Sequence, residues 1–370
     1  MAENMGNTEE QAEVIAAGMT EDVTDKKCPN CGATVVYDPE TLAMTCPFCG
    51  YSRQLPKPED GGQDVEELDF STAKNRESLD WGKEKKSLVC KNCGAETIMD
   101  SADTAQCCPY CGSTQVMPVD NDDDVVAPGG VVPFEITKEK AAELFKSWMK
   151  GKLFAPNEAK KSCEAKNFSG VYLPYWTYDS QTTSPYVIKL AYDETDKDGN
   201  TRTTYRTYRG IYERFIDDET VYASKKTNNP YIKQASTFDF TKLRKYSPEF
   251  IAGFLAERYT VGLDEGWDIA KEQIKKTLSN EISNMERKKH HADRVSKLDF
   301  NTSYAKVTYK YVLAPIWIAN FKFKEKLYNI VVNGQSGQIR GEAPVSPIKV
   351  AIAIAIAIAV IGLIAYFMTH

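Results

Sequence analysis

Residues 28–50 read CPNCGATVVYDPETLAMTCPFCG, and residues 90–112 read CKNCGAETIMDSADTAQCCPYCG. The second stretch repeats the first at an offset of 62 residues, with eleven of twenty-three positions identical. Both CxxC pairs recur, together with Asn30/Asn92, Gly32/Gly94, Ala33/Ala95, Asp38/Asp100, Ala43/Ala105, Pro47/Pro109 and Gly50/Gly112. Each unit is C-x2-C-x14-C-x2-C, a spacing that suits a four-cysteine zinc site. A CxxCG turn aims two sulfurs and several backbone N–H groups at one centre, and the glycine supplies the positive φ that closes it. ATVVYD and AETIMD read as short strands, with DPET and DSAD as turns. Units this small cannot hold a core, so the metal supplies their folding energy, and each is expected to fold on its own ion.

Cys28, Cys31, Cys46 and Cys49 are therefore assigned to one site, and Cys90, Cys93, Cys108 and Cys111 to another. Two Zn2+ are expected. Four protein ligands leave no open position, so both sites are structural. An iron tetrathiolate of rubredoxin type is the other metal this donor set accepts. Redox shuttling fits less well, because both pairs of a unit match one closed site. Cys107 stands where Thr45 stands in the first unit, a bystander unless the register slips by one; Cys163 has no partner.

Working outward, the chain is split in charge. Residues 1–130 carry 10 basic and 25 acidic residues, and residues 131–370 carry 36 and 27. Nucleic-acid binding by counterion release needs cations, yet residues 28–52 hold no Lys or Arg and 90–112 hold only Lys91. Protein contact is the better reading of the ribbons, with Pro47-Phe48 and Pro109-Tyr110 as exposed ring-bearing ends. Packing of those rings on the ribbon's own hairpin is the competing reading. The 370 residues are 42% hydrophobic and 26% charged, which excludes a disordered or collagen-like chain.

The other decisive stretch is VAIAIAIAIAVIGLIAYFM, Val350–Met368, nineteen residues without a charge. As a helix it is about 28 Å long, close to the thickness of a bilayer core. Its Ala/Ile alternation also suits a strand, but strands seldom exceed about ten residues. Lys349, Arg340, Lys322, Lys324 and Lys326 precede it, so the positive-inside bias puts the bulk of the chain in the cytoplasm, a tail-anchored arrangement at the cell membrane. No apolar segment precedes Cys28, which argues against a signal peptide and against disulfides.

The expected fold class is α+β: two small zinc ribbons, a β-rich main domain and one transmembrane helix. The divisions are an acidic extension (1–27), ribbon one (28–50), a linker (51–89), ribbon two (90–112), an acidic linker (113–130), the main domain (131–347) and the helix (348–368). Within the extension, residues 8–23 carry a weak apolar stripe. In the linkers, Leu68, Phe70, Leu79 and Trp81 are possible anchors, and the DNDDD run at 120–124 lacks a calcium-loop pattern. In the main domain Thr137 caps a helix with Ala141, Leu144, Phe145 and Trp148 on one face. Strands are expected in GVYLPYWTYD, SPYVIKLAYD, TRTTYRTYRGIYERF and ETVYAS. Ser247-Pro248-Glu249 opens a helix over PEFIAGFLAERY. A longer helix carries Trp267, Ala270, Ile274, Leu278, Ile282 and Met285, and two further strands end the domain. LPYW (173–176) and LAPIW (313–317) look like related strand entries, each placing a Trp after a Pro, and internal duplication of a strand unit is one reading of them.

No Walker loop, GxGxxG, HExxH or GxSxG occurs, and histidine is limited to His290, His291 and His370. No enzyme is expected, and no catalytic residue is assigned. The two CxxCG…CPxCG units, GVYLPYW, LAPIW, VVNGQSGQIRGEAPVSPIK and the apolar helix together resemble bacterial membrane-anchored double zinc-ribbon proteins. These are often labelled TFIIB-type zinc ribbon-containing, or named after primosomal protein N-prime, the replication-restart helicase. The resemblance spans residues 28–368 and implies zinc and a membrane location. The helicase role is not carried over, since such a motor needs the missing ATP-binding loop. The resulting expectation is a membrane-tethered cytoplasmic zinc-binding interaction or scaffold protein with an unknown protein partner. The alternatives are a nucleic-acid-binding factor using the basic main domain, with Tyr-rich strands as a stacking platform, and an enzyme with a site in the α+β domain.

Overall fold

The computed structural model describes residues 27–55, 65–75, 85–100, 108–111, 113, 115–119, 128–159, 168–195, 197, 199–225, 229–235, 237–323 and 326–369. The weak stripe at 8–23, Leu79, Trp81, the acidic run at 120–124, Cys107 and Cys163 lie outside these residues. In chain order the strands are β1 (Val36–Asp38), β2 (Ala43–Thr45), β3 (Ser52–Gln54), β4 (Leu68–Asp69), β5 (Lys85–Cys90), β6 (Glu96–Asp100), β7 (Val116–Val119) and β8 (Gly130–Val131). They continue as β9 (Phe168–Thr195), β10 (Thr201–Tyr222), β11 (Arg244–Lys245), β12 (Leu255–Glu257), β13 (Arg294–Phe300), β14 (Ser303–Phe323), β15 (Lys326–Asn333) and β16 (Ile339–Gly341). Four α-helices occur among the described residues: α1 (Lys138–Lys150), α2 (Pro230–Ala235), α3 (Leu263–Lys289) and α4 (Pro347–Thr369). The molecule is α+β with a sheet-rich body.

β1–β3 form their own sheet, and β4–β16 form one 13-stranded sheet. Its axis is β9, a single 28-residue strand where the sequence suggests two. β14 pairs antiparallel along one side and β10 along the other. The strand runs through Pro174 and Pro185, residues that supply no N–H to a ladder. Their carbonyls still bond, to Ala223 N–H (2.9 Å) and Asn301 N–H (3.3 Å).

Thr137 caps α1 by accepting from Lys140 N–H at 3.1 Å, and Ala141, Phe145 and Met149 are buried under it. Leu144 and Trp148, expected on that face, are half-buried and pack against the same core. The longer helix is α3, whose Trp267, Ala270, Ile274, Leu278 and Ile282 are buried. Met285 is exposed instead, and Glu286 takes the inward position. It accepts from Tyr186 Oη at 3.0 Å, a bond that makes a buried carboxylate tolerable.

The helix expected from Ser247-Pro248-Glu249 does not extend through PEFIAGFLAERY. It stops after one 3-10 turn, Pro248–Ile251, and Ser247 makes no capping bond. Gly253 turns at φ +83°, and Leu255–Glu257 then join two ladders, parallel to β9 and antiparallel to β6. Two-sided sheet pairing outweighs the local helix signal there.

LPYW and LAPIW lie side by side on β9 and β14, with Leu173 opposite Ala314 and Pro174 opposite Leu313. Trp176 Nε1 donates to the Val261 carbonyl and Trp317 Nε1 to the Ile136 carbonyl, both at 2.8 Å. Each acceptor sits one residue before the N-cap of a helix, Gly262 for α3 and Thr137 for α1. Pro174 O accepts from Ala223 N, and Pro315 O from Gly334 N. Ala223 O in turn accepts from Thr260 and Val261 N–H, and Gly334 O from Glu135 and Ile136 N–H. The same four bonds thus occur twice, related by a local two-fold, which gives the kinship of the two motifs a structural counterpart.

Candidate metal centres

The three CxxCG turns that lie wholly among the described residues close in the same way. Gly32 N–H bonds Cys28 O (2.8 Å), Gly50 N–H bonds Cys46 O (3.0 Å) and Gly94 N–H bonds Cys90 O (2.8 Å). The three glycines have φ between +72° and +74°. One residue further on the chain turns back, so that Cys28, Cys46, Cys90 and Cys108 N–H donate to the carbonyls of Ala33, Tyr51, Ala95 and Ser113. The turns then present sulfurs in fours. Cys28, Cys31, Cys46 and Cys49 have all Sγ atoms within 4.8 Å of one another, as do Cys90, Cys93, Cys108 and Cys111. Cys28 and Cys49 sulfurs are 3.3 Å apart and Cys31 and Cys46 sulfurs 3.5 Å; in the second cluster Cys90–Cys111 is 3.7 Å and Cys93–Cys108 3.6 Å. A tetrahedral ion with Zn–S bonds of about 2.3 Å requires sulfurs about 3.8 Å apart. The donor set and its spacing fit such an ion in both clusters.

Without a metal, the thiols of each cluster are pushed in opposite directions. Cys46 accepts from the N–H groups of Cys49 and Phe48, which hold its thiol down at about 6. Burial pushes Cys111 up, but the Asn92 amide (3.5 Å) and Ser113 N–H overcome it and bring the thiol to about 7. Neighbours in the same clusters move the other way: Cys93 is pushed to about 11, first by burial. A metal-free cluster carries one thiolate easily and further ones at growing cost, the deficit that a divalent cation removes.

The two clusters sit differently on the body. Around the first, Cys31 and Cys49 are exposed and Phe48 is 80% exposed, so that knuckle ends in solvent as the sequence suggests. Its β1–β2 hairpin docks through Tyr37, which lies 5.6 Å from the Phe250 ring and donates to Phe134 O at 3.3 Å. Beneath it Phe134 stacks on Phe254, and Trp317 packs at an angle to both. A cleft of about 950 Å³ remains between this ribbon and the body, with Asp38, Glu40, Lys138 and Glu139 among its lining.

The second ribbon is not a separate bead. β6 pairs with β12, so β5–β7 extend the body sheet. Tyr110, expected at an exposed tip, is buried and donates to Glu257 Oε2 at 2.7 Å. Glu257 is wholly buried and also takes Tyr222 Oη (3.0 Å) and Ser224 Oγ. Burial, and then the Glu257 charge, hold the Tyr110 hydroxyl well above its ordinary range. Asn320 Nδ2 completes the dock on Pro109 O at 2.7 Å. The sequence carried no sign of Glu257, an acid inside an unremarkable AERY run.

α4 is the one helix among the described residues that is long and apolar enough to cross a membrane, over Pro347–Met368, and none of its apolar window is buried.

No protein-family model matches the chain, and no solved structure matches it. The chain is similar to the "Uncharacterized protein YdjG" of Bacillus subtilis (strain 168), with 29% identity over 338 residues that cover 88% of this chain and 91% of that protein.

Proposed function

We propose that this chain is a membrane-tethered, cytoplasmic zinc protein whose first ribbon recruits a protein partner and whose second ribbon is a structural part of the body. Zinc is the metal of choice for two closed tetrathiolate sites, and neither site keeps a position for a substrate. The observation that carries the reading is the contrast between the clusters: Phe48 and Cys49 face solvent, while Tyr110 is buried on Glu257. Three acids, Asp38, Glu40 and Glu139, outnumber the one lysine, Lys138, at the cleft beside the open end. That charge repels nucleic acid and favours a basic protein surface. No catalytic step is assigned to the chain.

A photoreactive amino acid at position 48, irradiated in intact membranes, tests it. The expected product is a discrete adduct of higher mass that resists nuclease and is lost when Asp38 and Glu40 are changed to Lys. No adduct, or one that nuclease removes, would contradict the reading.

A further inference from the structure

The junction between α4 and the body carries features that neither the ribbons nor the helix itself explain. The loop after α1 folds back onto the helix start. Ser346 N–H bonds Phe154 O at 2.8 Å, and Lys349 Nζ bonds Ala155 O (2.8 Å) and Asn157 Oδ1 (3.0 Å). Leu153 is 80% exposed and Phe154 43%, beside Val345 and Ile348, which are also exposed. Large apolar side chains held together in water on a rigid loop are costly unless something covers them. Between Glu143 and Glu158 the segment LFKSWMKGKLFAPN contains Lys146, Lys150 and Lys152 and no acid, and all three lysines are exposed. The chain's uncharged run begins at Val350. Ser346, which fixes the loop, precedes it by four residues, about 6 Å along a helix. The polar layer on each face of a bilayer is about 5–8 Å thick. The loop therefore lies at headgroup depth when α4 spans.

We propose that residues 151–157 form a second membrane contact, in which Leu153 and Phe154 insert at the acyl boundary while Lys146, Lys150 and Lys152 bind the phosphates of anionic lipids. The inference rests on α4 being membrane-embedded. Its consequence is orientation: the hydrogen bonds at Ser346 and Lys349 turn one anchor into a two-point seat, so the body stands at a fixed angle to the membrane. Basic side chains near an anionic leaflet are attracted to it, and apolar neighbours convert attraction into insertion.

The test uses the full chain in phosphatidylglycerol-containing vesicles. An environment-sensitive fluorescent amino acid is placed by amber suppression at 153, at 358 within α4, or at 211 on β10, and quenching by brominated lipids is read. The expected order is strong quenching at 358, clear but weaker quenching at 153, and none at 211. Changing the three lysines to Gln, or replacing anionic by zwitterionic lipid, should lower the signal at 153 and leave that at 358. Position 153 behaving like 211 while 358 is quenched would overturn the proposal alone. No quenching at 358 would overturn the anchor, and the proposal with it.

Discussion

Phe48 and Tyr110 occupy matching places in the two cysteine repeats, and their surroundings give them opposite duties. Tyr110→Phe removes one of the donors on the buried Glu257 carboxylate, so a loss of about 1–3 kcal/mol is expected. Phe48→Asp, at a site 80% exposed, is expected to change stability by less than about 0.5 kcal/mol. Chemical denaturation of both variants checks the pair, and equal destabilisation would remove the distinction between ribbons. The grouping of the cysteines into two sets of four was legible from spacing alone, because sulfurs at CxxCG turns carry their geometry in the local chain. Tyr110's burial was not. It depends on Glu257, 147 residues away, and no local pattern announces a partner at that distance.

At the scale of elements, helices announced themselves by an apolar stripe, joined by a capping Thr137 in α1 and standing without a side-chain cap in α3. The error over PEFIAGFLAERY came from a genuine start signal followed by a glycine whose conformation the sequence does not reveal. Gly253 has φ +83°, and a Cβ there would lie 3.1 Å from Val36 Cγ1 of the first ribbon. Gly253→Ala is expected to destabilise the protein by about 1–2 kcal/mol through backbone strain, and to loosen the ribbon against the body. Hydrogen exchange checks this. Faster exchange at Tyr37 N–H, which bonds Ala252 O, is the expected signature, and unchanged exchange there would place the strain elsewhere. The length of β9 was hidden for another reason: the polar stretch 180–183 reads as a break between GVYLPYWTYD and SPYVIKLAYD, yet it pairs with both β10 and β14.

Over the whole molecule, the sequence conveys its parts better than their assembly. Two ribbons, a β-rich body and an apolar helix were each readable, since each has its own composition. The merging of β5–β7 into the body sheet, and the local two-fold around LPYW and LAPIW, arise from pairings between segments far apart in the chain. Because ribbons and body are joined upstream of α4, truncation after Pro347 is expected to release a folded protein that keeps both metals. Sedimentation with carbonate-washed membranes checks it, and a fragment that still pellets would show that α4 is not the anchor. The claim on which the account turns is that both clusters hold zinc. Metal analysis by plasma emission of the purified full chain, beside Cys31→Ser and Cys93→Ser, tests it most directly. The account predicts two zinc per chain, falling to one in each variant, with wider unfolding after Cys93→Ser because that ribbon shares the body sheet. One zinc in the parent chain, a visible iron–thiolate band, or an unchanged count in either variant would contradict it.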